Sequence, residues 1–241
     1  MKNTIELSQR LQAVVGLVTP GSIVCDAGCD HGYVSIYLVQ SKASPKVIAM
    51  DIRKDPLSRA REHIRQYGLE SYIETRLSDG GEALKLGEAD TLILAGMGGR
   101  LMQDILTRGR EKIGRMKEVI LQPHSELAGF RKFLRENSFE IVKEDMVYED
   151  GKFYPMMCVV PGQASTSADT EQKLHDVYGG LLLTNRHPVL AQYLSFEREK
   201  LESLLTELCA VKEASKKSED RYQEVLQELD RNKLAQKLYF H

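Results

Sequence analysis

Short apolar runs alternate with helical patterns from residue 23 to residue 136, and this rhythm constrains the chain more than anything else in it. Strands are predicted at 23–25, 47–50, 73–76, 91–94 and 119–121. Helices are predicted at 33–40, 56–67, 100–110 and 125–136. The strand segments are apolar on both faces, as strands buried in a parallel sheet are. Parallel neighbours need a crossover, and helices at this spacing supply it, so the chain reads as an open α/β sheet. A hydrophobic content of 42% over 241 residues is enough to cover such a sheet. One more helix is expected over 4–18, with Leu7, Leu11, Val14, Val15 and Val18 on one face and Thr19-Pro20-Gly21 as its stop.

The rhythm changes after Ser138. "FEIVKEDMVYEDGKFYPMMCVV" reads as two strands joined at Glu149-Asp150-Gly151, an Asp-Gly hairpin signal. An α/β sheet closed by an antiparallel hairpin is typical of the seven-stranded Rossmann-like methyltransferase sheet rather than of the plain dinucleotide order. Residues 161–170, "PGQASTSADT", have the composition of a linker, and strand signals stop there. Leu201, Leu204, Leu208 and Val211, then Tyr222, Val225 and Leu229, keep heptad spacing around a polar break at 214–220. Two domains are therefore expected, a Rossmann-like one over 1–162 and a C-terminal α-helical coiled-coil domain over 163–241. In the second, two long helices fold back on one another after shorter ones. A plain helix face packed on the core is the alternative for the heptads.

Several classes are disfavoured. No apolar run approaches the ~20 residues of a membrane helix, and the N-terminus lacks the apolar core and cleavage site of a signal peptide. A cytoplasmic protein is expected. Cys25, Cys29, Cys158 and Cys209 form no CxxC pair and no ligand pattern with histidines, so no metal is expected. A net charge of −2 carries no global signature of nucleic-acid binding, so any RNA contact has to be a local patch. The oligomeric state is open, with the balance towards a monomer.

The most informative loop lies within "VCDAGCDHGYVSIYLVQ", residues 24 to 40. A dinucleotide fingerprint needs glycines at 28, 30 and 33; the chain has Gly28, Asp30 and Tyr33. A carboxylate inside the loop would repel a pyrophosphate. The loop suits a ligand with cationic character and no phosphate, and S-adenosylmethionine, with its sulfonium and ammonium, is one. Asp26 and Asp30 can face those cations, Gly28 admits the amino-acid portion, and Gly32 opens a helix whose first amides suit a carboxylate. "VIAMDI" ends a strand in Asp51, placed for two ribose hydroxyls, with a helix N-cap as the alternative. "RLSDGGEAL" puts Asp79 and Gly80 where an adenine amine could donate, or in a plain Asp-Gly turn. "LILAGMGGRL" brings Gly96, Gly98 and Gly99 after the fourth strand, where bare backbone can pass close to a cofactor.

The combination "DAGCDHGYVSIYL", "MDI", "LSDGGEAL", "LAGMGGRLM", "LQP" and "DGKFYPM", followed by the helical tail, closely resembles the bacterial tRNA (adenine-22 N1)-methyltransferases over nearly the whole chain. The resemblance implies an S-adenosylmethionine-dependent enzyme with a Rossmann-like catalytic domain, a coiled-coil tail and a tRNA substrate. The cofactor loops it implies comprise Asp26, Gly28, Cys29, Asp30, His31 and Gly32; Asp51 and Ile52; Asp79 and Gly80; and Ala95, Gly96, Met97 and Gly98.

Attack by a ring nitrogen agrees with these residues. Enzymes acting on the adenine amine usually carry Asn/Asp-Pro-Pro-Tyr/Phe after the fourth strand, whereas this chain has Ala95-Gly96-Met97-Gly98-Gly99. The N1 lone pair lies in the ring plane and needs no strong base, so positioning is most of the catalysis. A carboxylate would stabilise the developing cation. Asp30, Tyr33 and His124 are the catalytic candidates: the carboxylate, and two groups able to hold the base. Asp30 could instead brace the loop, His124 cap a helix or face solvent, and His31 orient the loop. For RNA the candidates are Arg53 and Lys54, then Arg100, Arg108, Arg110 and Arg115, with Tyr154 against a base. Solvated helix faces, and for Tyr154 a plain strand position, are the alternatives. A methyltransferase for another RNA base or a small molecule, and a cofactor-binding regulatory protein, remain as other readings.

Overall fold

The central strand β1 (Val24–Ala27) is buried along its whole length between two parallel neighbours, β2 (Val47–Asp51) and β4 (Thr91–Met97). The computed structural model describes residues 4–167, 169–209 and 215–240. β3 (Ile73–Leu77), β5 (Glu118–Pro123), β6 (Phe139–Glu149) and β7 (Lys152–Pro161) complete a seven-stranded sheet in the order β3-β2-β1-β4-β5-β7-β6. β7 runs antiparallel to both β5 and β6. The hairpin turns at Asp150 and Gly151, with φ of 50° and 75°. Left-handed values at both central residues are what a two-residue turn matching strand twist requires.

Both faces of the sheet are covered, which is why most strands are apolar on both sides. α1 (Gln9–Gly16), α2 (Tyr33–Gln40) and α3 (Lys54–Tyr67) pack on one face through Val14, Val15, Ile36, Leu38, Leu57 and Ile64. α4 (Gly99–Arg108), α5 (Arg110–Ile113) and α6 (Leu127–Glu136) pack on the other through Met102, Leu106, Ile113, Phe130 and Leu134. β3 departs from the expectation of two apolar faces: as an edge strand it leaves Glu74 and Arg76 in an ion pair at 2.7 Å. The helix expected over 4–18 is shorter. Ser8 accepts the N–H of Leu11, and Glu149 accepts those of Gln9 at 2.6 Å and Arg10 at 3.4 Å. A side chain 140 residues away thus sets where α1 starts.

The chain divides into two compact units, Met1–Ser167 and Ala168–His241. The second unit is helical: α7 (Thr170–Tyr178), α8 (Gly180–Thr184), α9 (Pro188–Cys209) and α10 (Lys216–Tyr239). α9 and α10 run antiparallel, because Leu194 meets Asn232 while Leu201 packs with Val225 and Leu229. The polar break is shorter than 214–220, since Ser215 caps α10 by accepting the N–H of Ser218. Val211 and Ala214 lie outside the described residues. No helix among the described residues is long and apolar enough to cross a membrane.

Candidate active site

The strand order reverses between β1 and β4, and open α/β sheets bind ligands beyond the carboxyl ends of the strands at such a point. A cavity of about 590 Å³ lies there. Four successive strand ends each deliver a carboxylate or a turned peptide to it. β1 leads to Asp26, Gly28, Cys29, Asp30 and His31; β2 to Asp51, Ile52 and Arg53; β3 to Ser78, Asp79 and Gly80; β4 to Ala95, Gly96 and Met97. Tyr33 and Val34 line it from α2, Leu101 and Ile105 from α4, and Arg10 and Leu11 from α1.

Each carboxylate is held differently. Asp26 is buried and accepts the Ser35 hydroxyl at 2.6 Å. Burial pushes its carboxyl up to about 6, against the Ser35 hydrogen bonds and with the Asp51 charge adding to the rise. Asp51 accepts the N–H of Arg53 at 2.9 Å and that of Asp30 at 3.3 Å. It therefore steadies the head of α3 and the first loop together while still lining the cavity. Asp79 pairs with Arg108 at 2.7 Å, and the guanidinium holds its carboxyl below the usual range. Asp30 takes φ of 46°, a left-handed backbone, and its half-exposed carboxylate lies 3.7 Å from His31 Nε2. Burial pushes the Cys29 thiol up, so it stays neutral.

The fourth strand is irregular where it meets the cavity. Its register with β5 shifts between Ala95 and Met97, and Gly96 turns to φ of 71°. The Gly96 N–H, freed from the ladder, donates to the buried Gln122 Oε1 at 3.1 Å. The same oxygen accepts from Arg10 Nη1 at 2.9 Å, and the Arg10 guanidinium lies 5.5 Å over the Tyr154 ring. A bulge beside a cavity re-aims backbone and side chains; here it brings the Arg10 guanidinium to the Gly96 peptide.

Every cofactor candidate read from the sequence lines the cavity except Gly32 and Gly98. Gly32, at φ of 75°, packs α2 against α3: a Cβ there would lie 3.1 Å from that of Ala60. Gly98 caps α4. Of the catalytic candidates, Asp30 and Tyr33 line the cavity. His124 is exposed and outside that lining, with its N–H donating to the Met97 carbonyl. Tyr154 packs on the core and under Arg10, also outside the lining. Among the RNA candidates, Arg53 reaches the cavity, and Lys54, Arg100 and Arg110 are exposed. Arg108 is engaged by Asp79 and Glu82, and Arg115 lies 3.8 Å from Glu111. Arg10 escaped the sequence reading: its only local signal is one cation on an otherwise ordinary amphipathic helix.

Residues 7–157 match the family model of the methyltransferase domain. Fold and crevice together define a Rossmann-like methyltransferase. The tRNA (adenine(22)-N(1))-methyltransferase of Bacillus subtilis (strain 168) is 34% identical over 167 residues, 69% of this chain and 70% of that protein. The crystal structure of the B. subtilis m1A22 tRNA methyltransferase TrmK matches with a TM-score of 0.82 at 27% identity, covering 96% of this chain and 99% of that one. A Streptococcus pneumoniae protein solved in complex with S-adenosyl-L-methionine matches with a TM-score of 0.82 at 31% identity, covering 95% and 99%. The chain belongs to the tRNA (adenine(22)-N(1))-methyltransferase family.

Proposed function

We infer that this protein methylates N1 of adenine 22 in tRNA with S-adenosylmethionine as the donor. One observation carries the reading: a single cavity lined by Asp26, Asp30, Asp51 and Asp79, with Arg10 and Arg53 as its cations. A pyrophosphate would be repelled by that lining, whereas a sulfonium and an ammonium are attracted. His31 Nδ1 is buried without a hydrogen-bond partner among the described residues, an unpaired group that a ligand in the cavity could satisfy. The residues fit the cofactor. Asp26 would hold the ammonium, Arg10 the carboxylate, Asp51 the ribose hydroxyls and Asp79 the adenine amine.

When bound, S-adenosylmethionine supplies an electrophilic methyl: the N1 lone pair forms the new N–C bond, the C–S electrons return to sulfur, and a neutral thioether leaves. The protein's own task is geometric and electrostatic. Tyr33 borders the cavity and can stack on a base taken out of its helix, since N1 is reachable only when unpaired. Asp30, half-exposed at the mouth, would accept from the adenine exocyclic amine and stabilise the cation that grows on the ring. Exposed Lys54, Arg100 and Arg110 supply phosphate partners without a protein ion pair among the described residues. Arg108, tied to Asp79 and Glu82, serves the cavity wall more than the RNA.

Incubation with labelled S-adenosylmethionine and unmodified tRNA, followed by mapping of the methylated nucleoside, tests the function. The expected product is 1-methyladenosine at position 22. Label in another nucleoside, or only in small molecules, would overturn it.

A further inference from the structure

His63 plays no part in the assignment above, and it lies on α3 outside the cavity lining. Its ring joins those of His31 and Tyr33 in one array. The centroids are 5.2 Å apart for Tyr33–His63, 5.4 Å for His31–Tyr33 and 5.7 Å for His31–His63, with the planes within 21° of parallel. At these separations, with the planes near parallel, each pair is offset-stacked, so the three rings form one staggered aromatic array, and Tyr33 is 40% exposed. His31 and Tyr33 border the cavity, so the surface runs from the cavity mouth outward onto α3.

Resting on the tRNA reading above, which gives Tyr33 to the extruded adenine, we propose that His63 extends the array into a platform on which the nucleobase next to the methylated adenine stacks. Extrusion breaks stacking on both sides of the target, and the neighbouring base then exposes a bare face. Aromatic side chains recover such stacking for any base, because every base has a π-face. The polar edge of His63 is also defined. Its Nδ1 lies 2.9 Å from the His31 carbonyl oxygen. A carbonyl only accepts, so Nδ1 carries the hydrogen, and in the neutral ring Nε2 keeps its lone pair. That nitrogen can accept from an exocyclic amine or a ribose 2′-hydroxyl. Exposed Arg59, four residues earlier, shares the helix face and is placed for the adjoining phosphate.

The competing role is purely structural: His63 bracing the first loop through the His31 carbonyl. His63→Ala and His63→Phe separate the two, since Phe keeps the ring and loses the bond. Three readouts are needed: tRNA KM and kcat, S-adenosylhomocysteine affinity by calorimetry, and fluorescence of 2-aminopurine substituted beside the target adenine. His63→Ala should raise the tRNA KM roughly five- to hundredfold, with cofactor affinity unchanged and the probe's quenching in the complex reduced. His63→Phe should restore most of both. Unchanged KM and quenching in His63→Ala would overturn the proposal. So would equal loss of cofactor affinity in both variants, which marks a brace only. Nucleoside mapping with the wild-type protein fails separately if the site of methylation has been misread, because it does not depend on His63.

Discussion

Asp26 and Asp30 sit four residues apart and meet different surroundings, so their tests differ. Asp26 is buried, and its carboxyl rises from the ordinary 3.8 to about 6. The folded protein then binds that proton more tightly than the unfolded chain does. The stability this contributes is complete below 3.8 and is lost as pH rises through about 6. A ligand ammonium facing the group reverses the preference by favouring the ionised form. Affinity for S-adenosylhomocysteine should therefore climb between about pH 5 and about pH 7, with proton release on binding near the lower end. Calorimetry in buffers of different ionisation enthalpy measures this, and Asp26→Asn should flatten the rise. A pH-independent wild-type affinity would remove Asp26 from the ammonium. Asp30 is half-exposed and left-handed, at φ of 46°. Asn tolerates that backbone, and Gly does so freely. If the carboxylate stabilises the growing charge, Asp30→Asn and Asp30→Gly should both lose on the order of 10²–10³ in kcat while binding cofactor and tRNA normally. Near-normal turnover in Asp30→Asn would leave the residue only its bracing role.

Among the elements, α1 does more than cover the sheet. Ser8 and Glu149 fix its first turn, and that same turn carries Arg10 to Gln122 and the Gly96 peptide. A guanidinium beside the reacting ring would oppose a developing cation, whereas beside the cofactor's amino-acid end it can hold a carboxylate. Arg10→Ala should therefore weaken S-adenosylhomocysteine by roughly ten- to hundredfold, the scale of charge-assisted hydrogen bonds. Affinity for 5′-methylthioadenosine, which lacks the carboxylate, should not change. Equal loss for both ligands would assign Arg10 to the shape of the cavity instead. The helix pair shows another division of labour. Buried Asn232 donates to the Leu194 carbonyl and to Glu197, so its polar contacts as well as its leucines set the α9–α10 register.

At the scale of the molecule, the first unit contains the whole sheet, both of its apolar faces and every cavity residue. A chain ending at Ser167 should fold and bind S-adenosylhomocysteine with near wild-type affinity. It should lose most tRNA methylation, if the helical unit orients the RNA by shape. Normal methylation by the shortened chain would give the helices another task, such as self-association.

The order of strands and helices was legible in the sequence because hydrophobic period is a local property. So were the acids of the cavity, since Asp26, Asp51 and Asp79 all stand at or just beyond the ends of strands that must face one crevice. Tertiary structure alone decided which distant residues share that crevice. Arg10 meets Gln122 across 112 positions, and His63 meets the His31 carbonyl across 32. It likewise left His124 exposed and set Tyr154 beneath Arg10, though both stood in plausible motifs. The reason is physical. A side chain's direction along a strand or helix follows from local geometry, but its neighbours depend on strand order, on a bulge at Gly96 and on where a remote carboxylate starts a helix. None of those is encoded within a window of adjacent residues.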